Sequence, residues 1–277
     1  MSNTKVQRIG PPDAPTKLLC LHGGPGMDAS YFLPFLQPLS STAELIFYRQ
    51  HQNGATTMAG LVDELSDVIG SLKAHTLVLL GHSFGSCLAL EYIRKHGSAN
   101  INGLILASWL HNSRFLDPAQ KRHPELFKNI TSEENRMTEA LASLSPDELY
   151  RRKTMLWAPA YFAQGWESRG RETLAAIQYN DSAFQSLYST YLRDFDLAPV
   201  LRDMKIPVVG IAGEDDRVVD VSHIREGAAL NKAMGLVECS AAGHFPFIEC
   251  QDVFNSAVLA FLGKVVIKCS KISFALS

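Results

Sequence analysis

Short apolar runs recur along the chain, each bounded by glycine, proline or polar residues. Apolar runs of this length without polar alternation are typical of strands that are buried on both faces of a sheet. We predict six such strands: 17–21, 44–48, 76–80, 103–107, 207–212 and 236–239. Helical patterns lie between them, the clearest over 58–72, with Thr56 or Thr57 as its candidate N-cap. Strand and helix in alternation predict an α/β fold with a mostly parallel central sheet flanked by helices.

The alternation stops after residue 110, and the stretch that follows is richer in charged residues. Such a stretch is expected of a helical insertion that lies on the surface. Two amphipathic helices are predicted in it, over 132–144 and 145–156. The chain is therefore divided into a first part of the core, a helical lid and a second part of the core with a tail, over 1–110, 111–199 and 200–277. For the tail after residue 263, an edge strand and a frayed end both remain open.

The composition describes a globular protein with one sizeable core, since 46% of the residues are hydrophobic and 19% are charged. The formal net charge is −2 and no basic cluster stands out, which argues against nucleic acid as a partner. The chain begins without an apolar stretch of signal-peptide length, and no apolar run approaches the roughly 20 residues of a membrane span. We therefore expect a cytoplasmic protein without a membrane partner.

Five cysteines are spread along the chain: Cys20, Cys87, Cys239, Cys250 and Cys269. Their odd number and wide spacing, without a Cys-x-x-Cys pair, predict reduced thiols and neither a disulfide framework nor a metal site. Cys87 lies closest to the motif described next, so its oxidation is the one that would bear on function.

A Gly-x-Ser-x-Gly motif, Gly81 to Gly85, follows the predicted strand 76–80 and opens a helical pattern. A tight turn between strand and helix lifts the serine above the edge of the sheet, and flanking glycines let neighbouring backbone pass closely. The alternative is a chance Gly-Ser-Gly loop, which the strand before and the helix after disfavour. The motif predicts that Ser83 is a nucleophile.

A serine hydroxyl needs a base that takes its proton and a carboxylate that orients the base. Both residue types lie downstream at the ends of predicted strands: Asp216 follows 207–212, and His244 follows 236–239. The order Ser83, Asp216, His244 along the chain predicts a catalytic triad. The competing carboxylates are Asp215 and Asp220, and a carboxylate at the end of a strand can also be a helix N-cap. The competing histidine is His223, which lies in a predicted helix.

An anion pocket would complete this chemistry. The predicted strand 17–21 runs into His22-Gly23-Gly24-Pro25-Gly26, a turn whose glycines leave backbone N–H groups unshielded. We predict that the N–H groups of Gly24 and Phe84 form an oxyanion hole. The alternatives are a plain Gly-Pro turn and a phosphate loop, and the signature of the latter is lacking.

Together these motifs resemble the α/β-hydrolase superfamily, and His22 to Gly26 is similar to its prolyl aminopeptidase (proline iminopeptidase) branch. The resemblance covers about residues 5–110 and 200–263 but not the lid. It implies an α/β-hydrolase fold and the removal of an N-terminal residue, often proline, with acidic lid residues holding the free amine. The loop 49–56 departs from that branch, because an Asp, an Arg and a Gly of its usual pattern are missing. The nucleophile also lies between His and Phe, where the branch usually has Gly and Trp.

The lid supplies candidates for substrate contacts. Its acidic residues, candidate partners of a substrate amine, are Glu133, Glu134, Glu139, Glu148, Glu167 and Glu172. Its aromatic residues, candidate pocket walls, are Trp157, Tyr161, Phe162 and Trp166. The residues selected from these as substrate-binding are Trp157, Tyr161, Phe162, Glu148 and Glu167. The alternative assigns them to solvated helix faces and to the core of the lid.

The sequence therefore predicts a serine hydrolase that acts through an acyl-enzyme, without a metal or an organic cofactor. Its partner is expected to be a small-molecule or short-peptide substrate. An aminopeptidase or small-amide hydrolase like the proline iminopeptidases is favoured narrowly over a carboxylesterase or lactonase that acts on a small acyl compound. A non-catalytic receptor that keeps the hydrolase pocket for ligand binding is the third hypothesis.

Overall fold

The central sheet of the protein is mostly parallel. The computed structural model describes residues 6–51 and 54–275, with side chains to residue 268. The strands in these residues are β1 (Val6–Ile9), β2 (Thr16–Leu21), β3 (Glu44–Tyr48), β4 (Thr76–His82), β5 (Gly103–Ala107), β6 (Val208–Gly213) and β7 (Gly235–Cys239). They form one sheet in the order β1-β3-β2-β4-β5-β6-β7, with β1 antiparallel to β3 and all other pairs parallel. The six predicted strands and the α/β class are confirmed, whereas β1 was not predicted.

Helices flank the sheet and fill the segment between β5 and β6. They are α1 (Leu33–Leu36), α2 (Met58–Ser71), α3 (Phe84–His96), α4 (Asp117–Arg122), α5 (Pro124–Ala140), α6 (Pro146–Leu156), α7 (Ala158–Tyr161), α8 (Glu167–Ala176), α9 (Asp181–Leu187), α10 (Ala198–Asp203), α11 (Val221–Ala229), α12 (Pro246–Glu249) and α13 (Gln251–Ala275). Single 3-10 turns cover Ala29–Phe32 and Gln37–Ser41, and a π-helical turn covers Tyr188–Leu192. The N-cap of α2 is Thr57, whose side chain accepts a hydrogen bond from the N–H of Gly60.

Successive residues of the central strands pack on opposite faces of the sheet. In β2, Leu19 and Leu21 belong to a hydrophobic cluster with α2 and α3, whereas Leu18 and Cys20 belong to a second cluster with α13. Both faces are therefore buried, which is the physical reason that these strands are continuously apolar in sequence. The two clusters form the core, and the loops at the ends of the strands lie outside it.

The segment between β5 and β6 differs in detail from its prediction. Helix α6 begins as predicted, because the hydroxyl of Ser145 accepts a hydrogen bond from the N–H of Glu148 at 3.3 Å. The helix predicted over 132–144 lies earlier, since Pro124 takes the first position of α5 and the helix ends at Ala140.

The tail beyond residue 263 is neither an edge strand nor a frayed end over its described part. It continues α13 to Ala275. Phe261 and Val265, four residues apart on this helix, are buried against β5, where the absence of a side chain at Gly103 makes room for both. Residues 276 and 277 lie outside the described part. Among the described residues, no helix combines the length and the apolarity that crossing a membrane requires.

Candidate active site

Four loops carry the predicted site residues to one edge of the sheet. Strands β2, β4, β5, β6 and β7 run parallel, so their carboxyl ends lie together. Gly24 follows β2, Ser83 follows β4, Asp216 follows β6 and His244 follows β7. The topology therefore brings together residues that are up to 220 positions apart in sequence.

Ser83 occupies a tight turn between β4 and α3. Its backbone has φ 51° and ψ −120°, a conformation that non-glycine residues rarely adopt. The glycines of the motif are required sterically: a Cβ at Gly85 would lie 2.1 Å from the carbonyl oxygen of Leu21, and one at Gly81 would lie 2.7 Å from that of Gly85. The N–H of Ser83 donates to the carbonyl of Ala107 at 2.9 Å, which ties the turn to β5.

Asp216 and His244 form a buried pair. The Nδ1–H of His244 donates to Oδ2 of Asp216 at 2.8 Å, and both side chains are almost fully buried. The other carboxylate oxygen, Oδ1, accepts from the N–H groups of Val218 and Val219 at 2.8 and 2.9 Å. Three donors thus hold the carboxylate in place, and the bond at Nδ1 leaves Nε2 of the imidazole as the acceptor.

The competing residues lie elsewhere. Asp215 is exposed to solvent. Asp220 caps α11 by accepting from the N–H of Ser222 and pairs with Arg122 at 2.6 Å. His223 stacks on His111 with ring centroids 3.9 Å apart. None of the three contacts the His244 imidazole in the described part of the chain.

Backbone N–H groups of the turn after β2 have two different roles. The N–H of Gly23 donates to the hydroxyl of Tyr31 at 2.5 Å and is therefore occupied. Gly24 has φ 57°, and a Cβ there would collide with the side chain of Met27. The N–H groups of Gly24 and Phe84 have no protein acceptor among the described residues, and both residues line the same cavity as Ser83. Their N–H groups are free to bind an anion.

A hydrogen-bonded chain joins this turn to the backbone of His244. The hydroxyl of Tyr31 donates to Nδ1 of His82 at 2.9 Å, and Nε2–H of His82 donates to the carbonyl of His244 at 2.9 Å. Burial lowers the pKa of His82 well below its ordinary value, so the ring is neutral and can both accept and donate. No sequence pattern marked Tyr31 or this role of His82, because the contacts span 51 and 162 residues.

The loop 49–56, which departs from the proline iminopeptidase pattern, forms hydrogen bonds with the turn after β2. The N–H of Gly26 donates to Nε2 of His51 at 3.2 Å, and the side-chain amide of Gln50 donates to the carbonyl of His22 at 2.9 Å. Residues 52 and 53 of this loop lie outside the described part. The bonds from its described residues support the backbone of the turn without occupying the N–H of Gly24.

A cavity of about 600 Å³ opens above Ser83 and His244. The segment between β5 and β6 contributes six aromatic side chains to its lining: Phe115, Tyr150, Trp157, Tyr161, Phe184 and Tyr188. Its charged lining residues are Glu134, Lys153 and Asp181. Nε1–H of Trp157 donates to Oε1 of Glu134 at 2.7 Å, so this carboxylate is held at the wall.

Two of the five substrate-binding candidates line the cavity, and three do not. Trp157 and Tyr161 line the cavity. Phe162 does not, because it is fully buried and stacks on Phe245. Glu148 also lies away from the lining, where hydrogen bonds from Arg151 and Arg152 lower its pKa to about 2. Glu167 is half-buried, lies away from the lining and accepts a hydrogen bond from the N–H of Gly165. Of the six candidate glutamates, all within the described residues, Glu134 alone lines the cavity.

One group of residues has the composition of a metal site. His111, His223 and Glu226 place one ligand atom each within 4.8 Å of the others. The two imidazoles are stacked with an angle of 22° between their planes, so their in-plane lone pairs run side by side instead of converging on one ion. This geometry suits a stacked histidine pair better than a metal centre.

Comparison with known proteins identifies the family. The model of the alpha/beta hydrolase family matches residues 18–257. The chain belongs to the α/β hydrolase family. The proline iminopeptidase of Thermoplasma volcanium is 24% identical over 280 residues, which cover 90% of this chain and 89% of that protein. The family resemblance predicted from the motifs is thus confirmed.

Solved structures of α/β hydrolases share the fold. An esterase from Exiguobacterium antarcticum superimposes with a TM-score of 0.71 at 18% identity and covers 93% of this chain and 94% of its own. A proline iminopeptidase-related protein from Thermus thermophilus has a TM-score of 0.70 at 23% identity, with 94% and 93% covered. The α/β-hydrolase fold is therefore confirmed.

Proposed function

We propose that this α/β hydrolase is a serine hydrolase with Ser83, His244 and Asp216 as its catalytic triad. The hydrogen bond from Nδ1 of His244 to Asp216, beside the strained turn of Ser83 and open to the same cavity, is the observation that carries the proposal. A carboxylate at Nδ1 leaves Nε2 unprotonated and offsets the positive charge that the imidazole gains in the reaction.

The reaction has two halves. Oγ of Ser83 attacks the carbonyl carbon of the substrate while Nε2 of His244 takes the hydroxyl proton, and the carbonyl oxygen becomes an oxyanion. The free N–H groups of Gly24 and Phe84 receive that oxyanion, each contributing on the order of 3 kcal/mol. His244 then gives its proton to the leaving amine or alcohol. A water molecule, deprotonated by the same imidazole, hydrolyses the acyl-enzyme and regenerates Ser83.

For the substrate, we propose a short peptide or small amide with a free amino group, as in the proline iminopeptidases. Glu134 supports this class, because Trp157 holds its carboxylate at the wall of the cavity, whose other charged lining residues are Lys153 and Asp181. A substrate ammonium is attracted to such a carboxylate more strongly than in bulk water. Residues 111–199 act in this proposal as a lid that shapes the pocket, since Glu134, Trp157 and Tyr161 belong to them.

A carboxylesterase is the second candidate. The aromatic wall, from Tyr150 to Tyr188, suits an uncharged acyl group, and several structures with the same fold are esterases. In that case the carboxylate of Glu134 would repel an acyl chain that carries negative charge and contribute nothing to a neutral one.

Hydrolysis of prolyl p-nitroanilide and p-nitrophenyl acetate separates these hypotheses. We compare the wild type with Ser83→Ala, with Glu134→Gln and with Glu133→Gln, a matched control whose carboxylate pairs with Arg136 on the same helix. Turnover of both substrates should vanish in Ser83→Ala. Glu134→Gln should raise KM for the anilide about tenfold, the equivalent of about 1.4 kcal/mol, and leave the ester unchanged.

Cleavage of the ester alone by the wild type would favour the esterase. Binding of ligands without turnover of either substrate would favour the receptor hypothesis. Activity that survives in Ser83→Ala would overturn the triad.

A further inference from the structure

Glu249, at the end of α12, accepts three backbone hydrogen bonds from two separate parts of the chain. Oε1 accepts from the N–H of Ala163 at 2.7 Å. Oε2 accepts from the N–H groups of Gly243 and Phe245 at 3.0 and 3.3 Å. The first donor belongs to the segment between β5 and β6, and the other two are the residues on either side of His244. The motifs of the sequence did not mark this residue.

The same two parts of the chain touch directly. The N–H of His244 donates to the carbonyl of Tyr161 at 2.6 Å. A Cβ at Gly243 would lie 2.4 Å from that carbonyl oxygen and 3.0 Å from the nitrogen of Ala163, so the two backbones pack without space for a side chain. The backbone on both sides of the imidazole is therefore held against the lid segment.

We propose that Glu249 is a positioning residue, which ties the lid at Ala163 to the peptide groups flanking His244 and so holds the imidazole between Asp216 and Ser83. The proposal rests on the proposed function, because it assigns a role relative to that triad. An imidazole displaced by about 1 Å costs on the order of a hundredfold in rate. Glu249 does not reach the substrate cavity and acts through His244 alone.

The hydrogen bonds that Glu249 accepts depend on whether its carboxyl group is ionised. Burial raises the pKa of Glu249 to about 7, the three N–H groups offset only part of this effect, and the nearby charge of Asp216 adds to it. The titratable groups that face Glu249 are Asp216 in the loop after β6 and Cys239 in β7, whose thiol has a pKa raised to about 12. An ionised carboxylate accepts on both oxygens, whereas protonation converts one oxygen into a donor. The protonated side chain then accepts either from Ala163 or from Gly243 and Phe245, but not from both sides.

The test is the ratio of kcat between the wild type and Glu249→Gln, measured with p-nitrophenyl acetate across the pH range. Glutamine keeps the volume and cannot ionise. We expect the ratio to be about tenfold to hundredfold near pH 8.5, where Glu249 is ionised, and to fall to about threefold or less near pH 5.5. KM should change by less than about twofold.

Two controls accompany this measurement. Glu214→Gln removes an exposed carboxylate from the loop after β6 and should give a ratio near one at every pH. Glu249→Asp keeps the charge but is too short to bind both Ala163 and the residues flanking His244, so it should lose kcat near pH 8.5 as Glu249→Gln does.

A ratio for Glu249→Gln that is constant with pH, or within about twofold of one at pH 8.5, would overturn the positioning role. If neither Glu249 variant folds, the residue serves folding and the proposal is wrong. Turnover by Ser83→Ala at the wild-type rate is a different result. It would show that Ser83 is not the nucleophile, and the inference about Glu249 would lose its basis.

Discussion

Replacement of Asp216 by asparagine is the most informative single change at the candidate triad. Oδ1 of Asp216 faces two donors, the N–H groups of Val218 and Val219. The amide nitrogen of asparagine is itself a donor and is excluded from that side. It must therefore face Nδ1 of His244, which the hydrogen bond of 2.8 Å now joins to Oδ2. The imidazole is then forced to carry its proton on Nε2, where it cannot accept the proton of Ser83.

The substitution also removes the negative charge of Asp216, and this loss slows the reaction in addition to the effect of the wrong tautomer. With charge centres about 4 Å apart and an effective dielectric constant of about 20, the carboxylate stabilises an imidazolium by about 4 kcal/mol. At 1.36 kcal/mol for each factor of ten, this corresponds to a loss of about 10³ in kcat. The wrong tautomer should bring the total to about 10⁴.

We expect Asp216→Asn to bind substrate with nearly unchanged KM and to hydrolyse p-nitrophenyl acetate at least about 10³-fold more slowly than the wild type. Asp215→Asn, an exposed neighbour, is the matched control and should be fully active. Circular dichroism and thermal melting report whether the fold survives. A folded Asp216→Asn protein with kcat within tenfold of the wild type would refute the assignment of Asp216.

Three further predictions follow from individual contacts. Gly85→Ala should abolish folding, because its Cβ would lie 2.1 Å from a carbonyl oxygen of β2; circular dichroism of the purified variant tests this. Tyr31→Phe should fold but lose kcat by about tenfold to hundredfold, since the hydroxyl that orients Gly23 and His82 is gone, and steady-state kinetics should show KM unchanged. Cys87 should resist N-ethylmaleimide in the native protein, because it is fully buried and burial raises the pKa of its thiol; peptide mass mapping would contradict this if Cys87 were modified before unfolding.

Most of the sheet could be predicted from the sequence because a parallel strand covered on both faces is apolar at every position. β2 and β4 are buried throughout and were found within two residues of their ends. β1 has only four residues, and its two central residues are exposed at the edge of the sheet, so no apolar run marks it. The weak alternation of the tail suits a strand or a frayed end, and it conceals the four-residue spacing of Phe261 and Val265 along the helix.

The residues of the candidate site also fall into two groups, those that the sequence predicts and those that it does not. Ser83, Asp216 and His244 could be found because each follows a strand end, where glycines and chain order carry information. Glu134 could not be separated from five other glutamates, since its distinction is a contact with Trp157, 23 residues away. Glu249 and Tyr31 could not be predicted for a similar reason: both accept from backbone N–H groups, which leave no trace in the identity of the residues, and the other partner of Tyr31 is His82, 51 residues away.

Labelling with a fluorophosphonate, which reacts with serines activated by a neighbouring base, tests whether Ser83 is an activated nucleophile. We expect one adduct per wild-type chain, mapped by mass spectrometry to Ser83, and no adduct in Ser83→Ala. Labelling should be slower in Asp216→Asn. An unlabelled wild type, or a label that persists in Ser83→Ala, would show that Ser83 is not the activated nucleophile.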